Sequence, residues 1–223
     1  MIAVAYSFGS LLFVLAVGAV AFGLRAYLNS KRTEKLEAVA AQLNLEFFPK
    51  DGPIELEQLA GFYLITQGVS PRFRNVMHGN AQGVDVTVFD FRYSTGKSSF
   101  TTTVARFRAA DLALPAFSLR PEGIAAKIGK AFGYQDIDIR SHPLFSETFL
   151  LRGAEEQVIR SLFDDELVAG FEQMKGVSVE VSGNQVIFYR EMESVPPPEI
   201  AAFFKEALGV YLRLKDAEER RAT

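Results

Sequence analysis

Cysteine and tryptophan are both missing from this chain of 223 residues, and histidine occurs only twice, at His78 and His142. Without cysteine there is no disulfide, no thiolate metal centre and no cysteine nucleophile. Two histidines leave little material for a histidine-based metal site or a hydrolase triad. The net charge is only −3, whereas surfaces built for nucleic acid are strongly basic, so no nucleic acid partner is expected. A nucleotide is not expected either. Gly96-Lys97-Ser98 ends like a phosphate-binding loop, but Phe91 stands where that loop needs its first glycine. The sequence after Ser98 reads as a strand, so no helix N-terminus is on offer to a phosphate.

The longest apolar run comes first. Residues 2–24, IAVAYSFGSLLFVLAVGAVAFGL, carry no charged side chain. As a helix rising 1.5 Å per residue they would reach roughly 34 Å, against a hydrocarbon core of about 30 Å. The expectation is a transmembrane helix over 1–24 in a single-pass protein. A cleavable leader would begin with basic residues and be shorter; Ala19 and Ala21 are the small residues that would suit one. Arg25, Lys31, Arg32 and Lys35 all follow the run and none precedes it. The positive-inside rule then puts the C-terminal domain on the cytoplasmic side of a cell inner membrane.

Over 25–45 the pattern predicts a separate juxtamembrane amphipathic helix, with Leu36, Val39, Ala40 and Leu43 at helical spacing. Beyond it strands dominate: LEFF, GFYLITQG, RNVMHGNAQG, and a hairpin of VDVTVFDFRYST with SFTTTVARFRA. In the first arm Val84, Val86 and Val88 alternate, then Phe89, Phe91 and Tyr93 take the opposite parity. Such a shift means either a β-bulge or a strand covered on both faces. PAFSLRPEG and ETFLLRG read as further strands, with a helix expected through GIAAKIGKAFG between them. Two short helices, AEEQVIRSLF and DDELVAGFEQMK, precede a second hairpin, VSVEVSGNQVIFYR, and a closing helix that starts at PPPEI. The fold class expected is α+β: one mostly antiparallel-sheet domain with flanking helices over 46–215, after the transmembrane helix, and a charged tail over 216–223. The 20 phenylalanines fit an aromatic core, or less simply an apolar pocket.

Chemistry is hard to find. Asp136, Asp138 and His142 are the one acidic cluster with a nearby histidine, and two carboxylates on one strand face plus an imidazole can hold a divalent metal. Ser141 before His-Pro also reads as a cap or turn. Asp85, Asp90 and Glu147 are available as acids or bases, but no motif places a serine at a nucleophile elbow. Arg92, Arg106 and Arg108 are expected to pair with Asp85 and Asp90 on a solvated sheet face rather than to bind an anion. No catalytic residue and no cofactor is expected.

LRPEG (119–123), FGYQDIDI (132–139), SHPLFSETFLLRG (141–153) and VPPPEI (195–200) together resemble a family of uncharacterised bacterial single-pass membrane proteins. The resemblance runs over most of the chain and includes the N-terminal span. It implies the anchored architecture and assigns no activity to any residue. The reading is a membrane-anchored, non-catalytic interaction or scaffold domain with an unidentified protein partner. A domain binding lipid or another apolar ligand is the alternative, and a metal-dependent enzyme is a further one.

Overall fold

The computed structural model describes residues 2–96, 98–123 and 136–222; the side chains of residues 2–12, 14, 15 and 222 also lie outside the description. The helix expected through GIAAKIGKAFG falls almost wholly outside the described residues.

Helix α1 runs from Ile2 to Gln42 without interruption. The sequence suggests two segments, but nothing between Leu24 and Ser30 breaks a helix, so the apolar and amphipathic patterns are carried on one rod. Strand β1 (Glu46–Lys50), a short helix α2 (Tyr63–Thr66) and strands β2 (Val69–Ala81), β3 (Val84–Ser94), β4 (Ser99–Ala109) and β5 (Phe117–Pro121) follow. Then come α3 (Pro143–Thr148), β6 (Phe149–Gly153), α4 (Glu156–Leu162), α5 (Asp165–Glu172), β7 (Val177–Ser182), β8 (Gln185–Arg190) and α6 (Ile200–Ala222). The strands make one eight-stranded sheet in the order β1-β2-β3-β4-β8-β7-β5-β6. Every neighbouring pair in it is antiparallel. The α+β class and the flanking helices are as the sequence suggests.

Both faces of the sheet are covered, and this settles the parity shift in β3. The β3–β4 register is unbroken from Val84 opposite Ala109 to Ser94 opposite Ser99. Val86 and Val88 pack with Phe107, Phe188, Leu36 of α1 and the buried stripe of α6 (Ile200, Phe203, Ala207, Tyr211). Phe89, Phe91 and Tyr93 pack on the other side under Ile54, Leu59, Phe62 and Leu64. The irregularities lie instead in β2, at Val69/Arg72 and at Arg74/Met77. Most of the described phenylalanines outside the N-terminal apolar run fill the core. Phe145, Phe149, Phe163 and Phe171 make one cluster with ring centroids 5.5–6.4 Å apart, and Phe107 stacks 5.0 Å from Tyr211.

Two local expectations are corrected. GFYLITQG is not a strand: the Tyr63 and Leu64 amides donate to the Glu180 carboxylate instead of to a ladder, and the chain turns into α2. The C-terminal residues from Lys215 are not a solvated tail through to the end, because α6 continues to Ala222 with Leu214 and Ala217 buried beneath it. Arg220 of that last stretch pairs with Asp164 at 2.8 Å. The loop at Gly96 is the hairpin turn that the sequence suggests, with the Thr95 amide donating to Ser98 O at 2.9 Å. Gly96 sits at φ +86°, a conformation natural to glycine.

Among the described residues no helix is long and apolar enough to cross a membrane. Most side chains of the span expected over 2–24 lie outside the described residues. Of those that are described, Phe13, Val17, Val20, Phe22, Leu24, Tyr27 and Leu28 are all more than half exposed.

Candidate functional site at the helix-to-sheet junction

The inner half of α1 is tied to the sheet by a buried polar cluster. Asp90, in the middle of β3, is 3% exposed and accepts four hydrogen bonds. Arg32 of α1 grips it with Nε and Nη2 at 2.9 and 2.8 Å, a two-pronged pairing that suits guanidinium and carboxylate. Asn75 Nδ2 donates to it at 2.8 Å and the Thr103 hydroxyl at 2.9 Å. Arg32 Nη1 also reaches the Val195 carbonyl at 2.8 Å, and the Val195 amide donates to Thr103 Oγ1 at 3.0 Å. One arginine thereby joins α1, β3, β4 and the segment that leads into α6.

Asn75 completes the cluster from a bulge. It has φ +50°, which asparagine tolerates better than most residues. The bulge between Arg74 and Met77 turns its side chain to α1, where the Thr33 hydroxyl donates to Oδ1 at 2.8 Å. The helical spacing Arg32, Leu36, Ala40 puts the ionic contact and the apolar contacts on one stripe. That stripe was visible in the sequence as Leu36, Val39, Ala40 and Leu43; Arg32 begins it, and reading Arg32 only as a membrane-flanking charge hides its role.

A cleft of about 230 Å³ opens beside the cluster, lined by Arg32, Arg74, Asn75, Asp90, Arg92 and Thr101 among others. Arg74 stands opposite Asp90 in the β2–β3 register, and Arg72 opposite Arg92. A second cleft, of about 110 Å³, lies by β5, β6 and β7 and is lined by Phe117, Arg152, Gly153, Glu180 and Val181 among others. Both fall below the roughly 300 Å³ at which pockets for drug-sized ligands begin.

The expected pairing of Arg92, Arg106 and Arg108 with Asp85 and Asp90 is met for Arg106, Arg108 and Asp85, but not for Arg92 and Asp90. Arg106 and Arg108 each reach Asp85 at 2.9 Å. Asp90 lies on the other face of β3 and pairs with Arg32 instead. The Arg106 side chain is fully buried, whereas Arg108 beside it stays partly exposed, so the cluster is solvated only at its rim. Burial pushes the Asp85 carboxyl up, but hydrogen bonds from Arg106 and Arg108 outweigh it and hold the group below its usual range.

A second polar network went unseen in the sequence. Glu180 looks like a solvent-facing member of an alternating strand, yet it is 2% exposed beneath α2. The Tyr63 and Leu64 amides donate to it at 2.5 and 3.1 Å and the Tyr189 hydroxyl at 2.6 Å. Burial pushes its carboxyl above the ordinary value, against those donors and the charge of Arg120. Arg120 itself pairs with Glu191 at 2.6 Å and lies 4.3 Å from the centre of the Tyr63 ring. Every partner of Glu180 is a structural element being pinned, so the network reads as the lock that holds α2 on the sheet.

The metal candidates are dispersed. Asp136 and Asp138 share an exposed side while Ile137 and Ile139 are buried. Asp136 pairs with Arg152 at 2.6 Å, and the Asp138 carbonyl accepts from Arg160. His142, at the start of α3, turns to α5, with Asp165 at 3.1 Å and Glu172 at 3.4 Å. Among the described residues no group of three or more histidine, aspartate and glutamate side chains is placed to hold a metal ion.

No known protein family matches the chain, and no curated protein matches it significantly. Among solved structures, the crystal structure of the mycobacterial trehalose monomycolate transport factor A, TtfA, is similar. The TM-score is 0.61 at 12% sequence identity, over 83% of this chain and 93% of that one. At that identity the likeness is one of fold.

Proposed function

We propose that the protein is a membrane-anchored accessory domain without catalytic activity of its own, held at the cytoplasmic face of the membrane by α1 and working through a protein partner. One observation carries the reading: a single helix whose outer half shows bare apolar side chains and whose inner half is locked to the sheet by the Arg32–Asp90 cluster. Apolar side chains in such a row are costly in water, at roughly 25 cal/mol per Å². The absence of charge from 2–24 extends that row to a length that spans a bilayer. Because α1 is one rod, insertion would fix the height and tilt of the sheet above the lipid, which suits a docking or scaffold role. The basic residues after the span support a cytoplasmic domain. The resemblance to uncharacterised single-pass proteins is in keeping with this, and one solved protein of similar fold is named a transport factor, a likeness that supports a non-catalytic role here.

Fractionation tests the anchor. Full-length chain expressed with membranes should stay in the pellet through alkaline carbonate washing, and a chain lacking 1–24 should leave it. Full-length chain released by carbonate would refute the anchor. Orientation is read by a reporter fused after Thr223 that is active on one side only; activity outside the cytoplasm would refute the orientation.

A further inference from the structure

We infer that the cleft at the foot of α1 binds a phosphate-type anion, with the headgroup of an anionic phospholipid as its source. The charge count in the cleft is uneven. Arg32 is matched by Asp90, but among the described residues neither Arg74 nor Arg92 has an ion pair or a side-chain hydrogen bond. Arg72 lies directly across from Arg92, and like charges in that relation destabilise a sheet. An anion held in the cleft beside Arg74 and Arg92 offsets the positive charge that gathers there. Guanidinium groups are the side chains best suited to phosphate, because their fork of donors matches its oxygens.

The floor of the cleft is built rather than incidental. Asp90 and Asn75 are buried and fully bonded, and they fix Arg32 while leaving Arg74 exposed and Arg92 half-buried at the opening. The half-buried Thr101 hydroxyl adds a neutral donor to the lining. About 230 Å³ is room for a headgroup and not for an acyl chain with it.

The choice of a lipid source rests on the anchor reading; the choice of a phosphate-type anion does not. If the span ends at Leu24, Asn29 at the cleft mouth stands about 8 Å further along the helix and Arg32 about 12 Å. The headgroup layer is roughly 5–8 Å deep, so a lipid phosphate lies within reach of an arginine side chain there.

The full-length chain in zwitterionic detergent is titrated calorimetrically with dihexanoyl phosphatidylglycerol, dihexanoyl phosphatidylcholine and inorganic phosphate. Saturable binding of phosphatidylglycerol over phosphatidylcholine is expected. It should weaken at least about tenfold in the double variant Arg74→Gln/Arg92→Gln, which removes charge-assisted hydrogen bonds from exposed or half-buried positions. If inorganic phosphate binds as tightly as the lipid, the anion site stands and the lipid source is overturned. If neither anion binds, or the double variant binds as the wild type does, the site itself is overturned. Should the double variant melt early, Thr101→Glu, which sets a carboxylate in the cleft, must abolish binding in its place. Soluble probes read the cleft whether or not α1 spans a bilayer, so failure here leaves the anchor to its own fractionation test.

Discussion

The two halves of α1 are built from the same backbone and live by different rules. From Arg32 inwards, the helix buries Leu36 and Ala40 against the sheet and makes its polar contacts through Arg32 and Thr33. From Leu28 outwards, the described large apolar side chains are bare. A helix that is apolar all round asks for an apolar surround, whereas a stripe asks for a core. The inner half takes its stability from tertiary packing; the described large apolar side chains of the outer half are left more than half exposed by the protein.

The largest effect should come from the clamp. Asp90→Ala leaves Arg32, Asn75 and Thr103 without their common acceptor, and breaking one side of a buried ion pair costs about 3 kcal/mol. Denaturant unfolding of the sheet domain should show that loss, and Asp90→Asn should recover part of it; no loss would mean that α1 is not held by this cluster. Leu36→Ala, four residues on from Arg32, removes a fully buried side chain and should cost about 2–3 kcal/mol in the same assay. A smaller effect marks a site independent of the helix. Because the Asp85 carboxyl is held below its unfolded value, its ion pairs stabilise the fold above about pH 3.8 and are lost as the pH falls through the lowered value. Asp85→Asn should therefore flatten the acid limb of the melting profile, and an unchanged limb would contradict that sign. The smallest effect belongs to the outer half: Val20→Ser should change the domain's unfolding free energy by less than about 0.5 kcal/mol. A larger change would show that this stretch packs on protein after all.

The strands of both hairpins, α4, α5 and the start of α6 were legible because each carries its own period and its own stop signals. The alternation in β3 leaves two readings open, since parity alone does not tell a bulge from a second layer. What stayed hidden depends on distant partners. The residues from Tyr63 to Thr66 have strand-like composition, but Glu180, more than a hundred residues later, captures their amides. Asp90 reads as a partner for Arg92, Arg106 or Arg108; the register puts Arg106 and Arg108 on the other face, and beside Arg92 on the same face it is Arg32 of α1 that takes the carboxylate. Asp136, Asp138 and His142 are neighbours in sequence, yet the turn into α3 sends the imidazole to α5.

Because the chain has no native cysteine, single cysteines placed along α1 report on one position at a time. The most direct measurement is the rate at which a membrane-impermeant thiol reagent labels Val20→Cys and Lys35→Cys in inside-out membrane vesicles. The account predicts rapid labelling at 35 and protection at 20 that detergent removes. Labelling of both positions at the same rate in intact vesicles would contradict it.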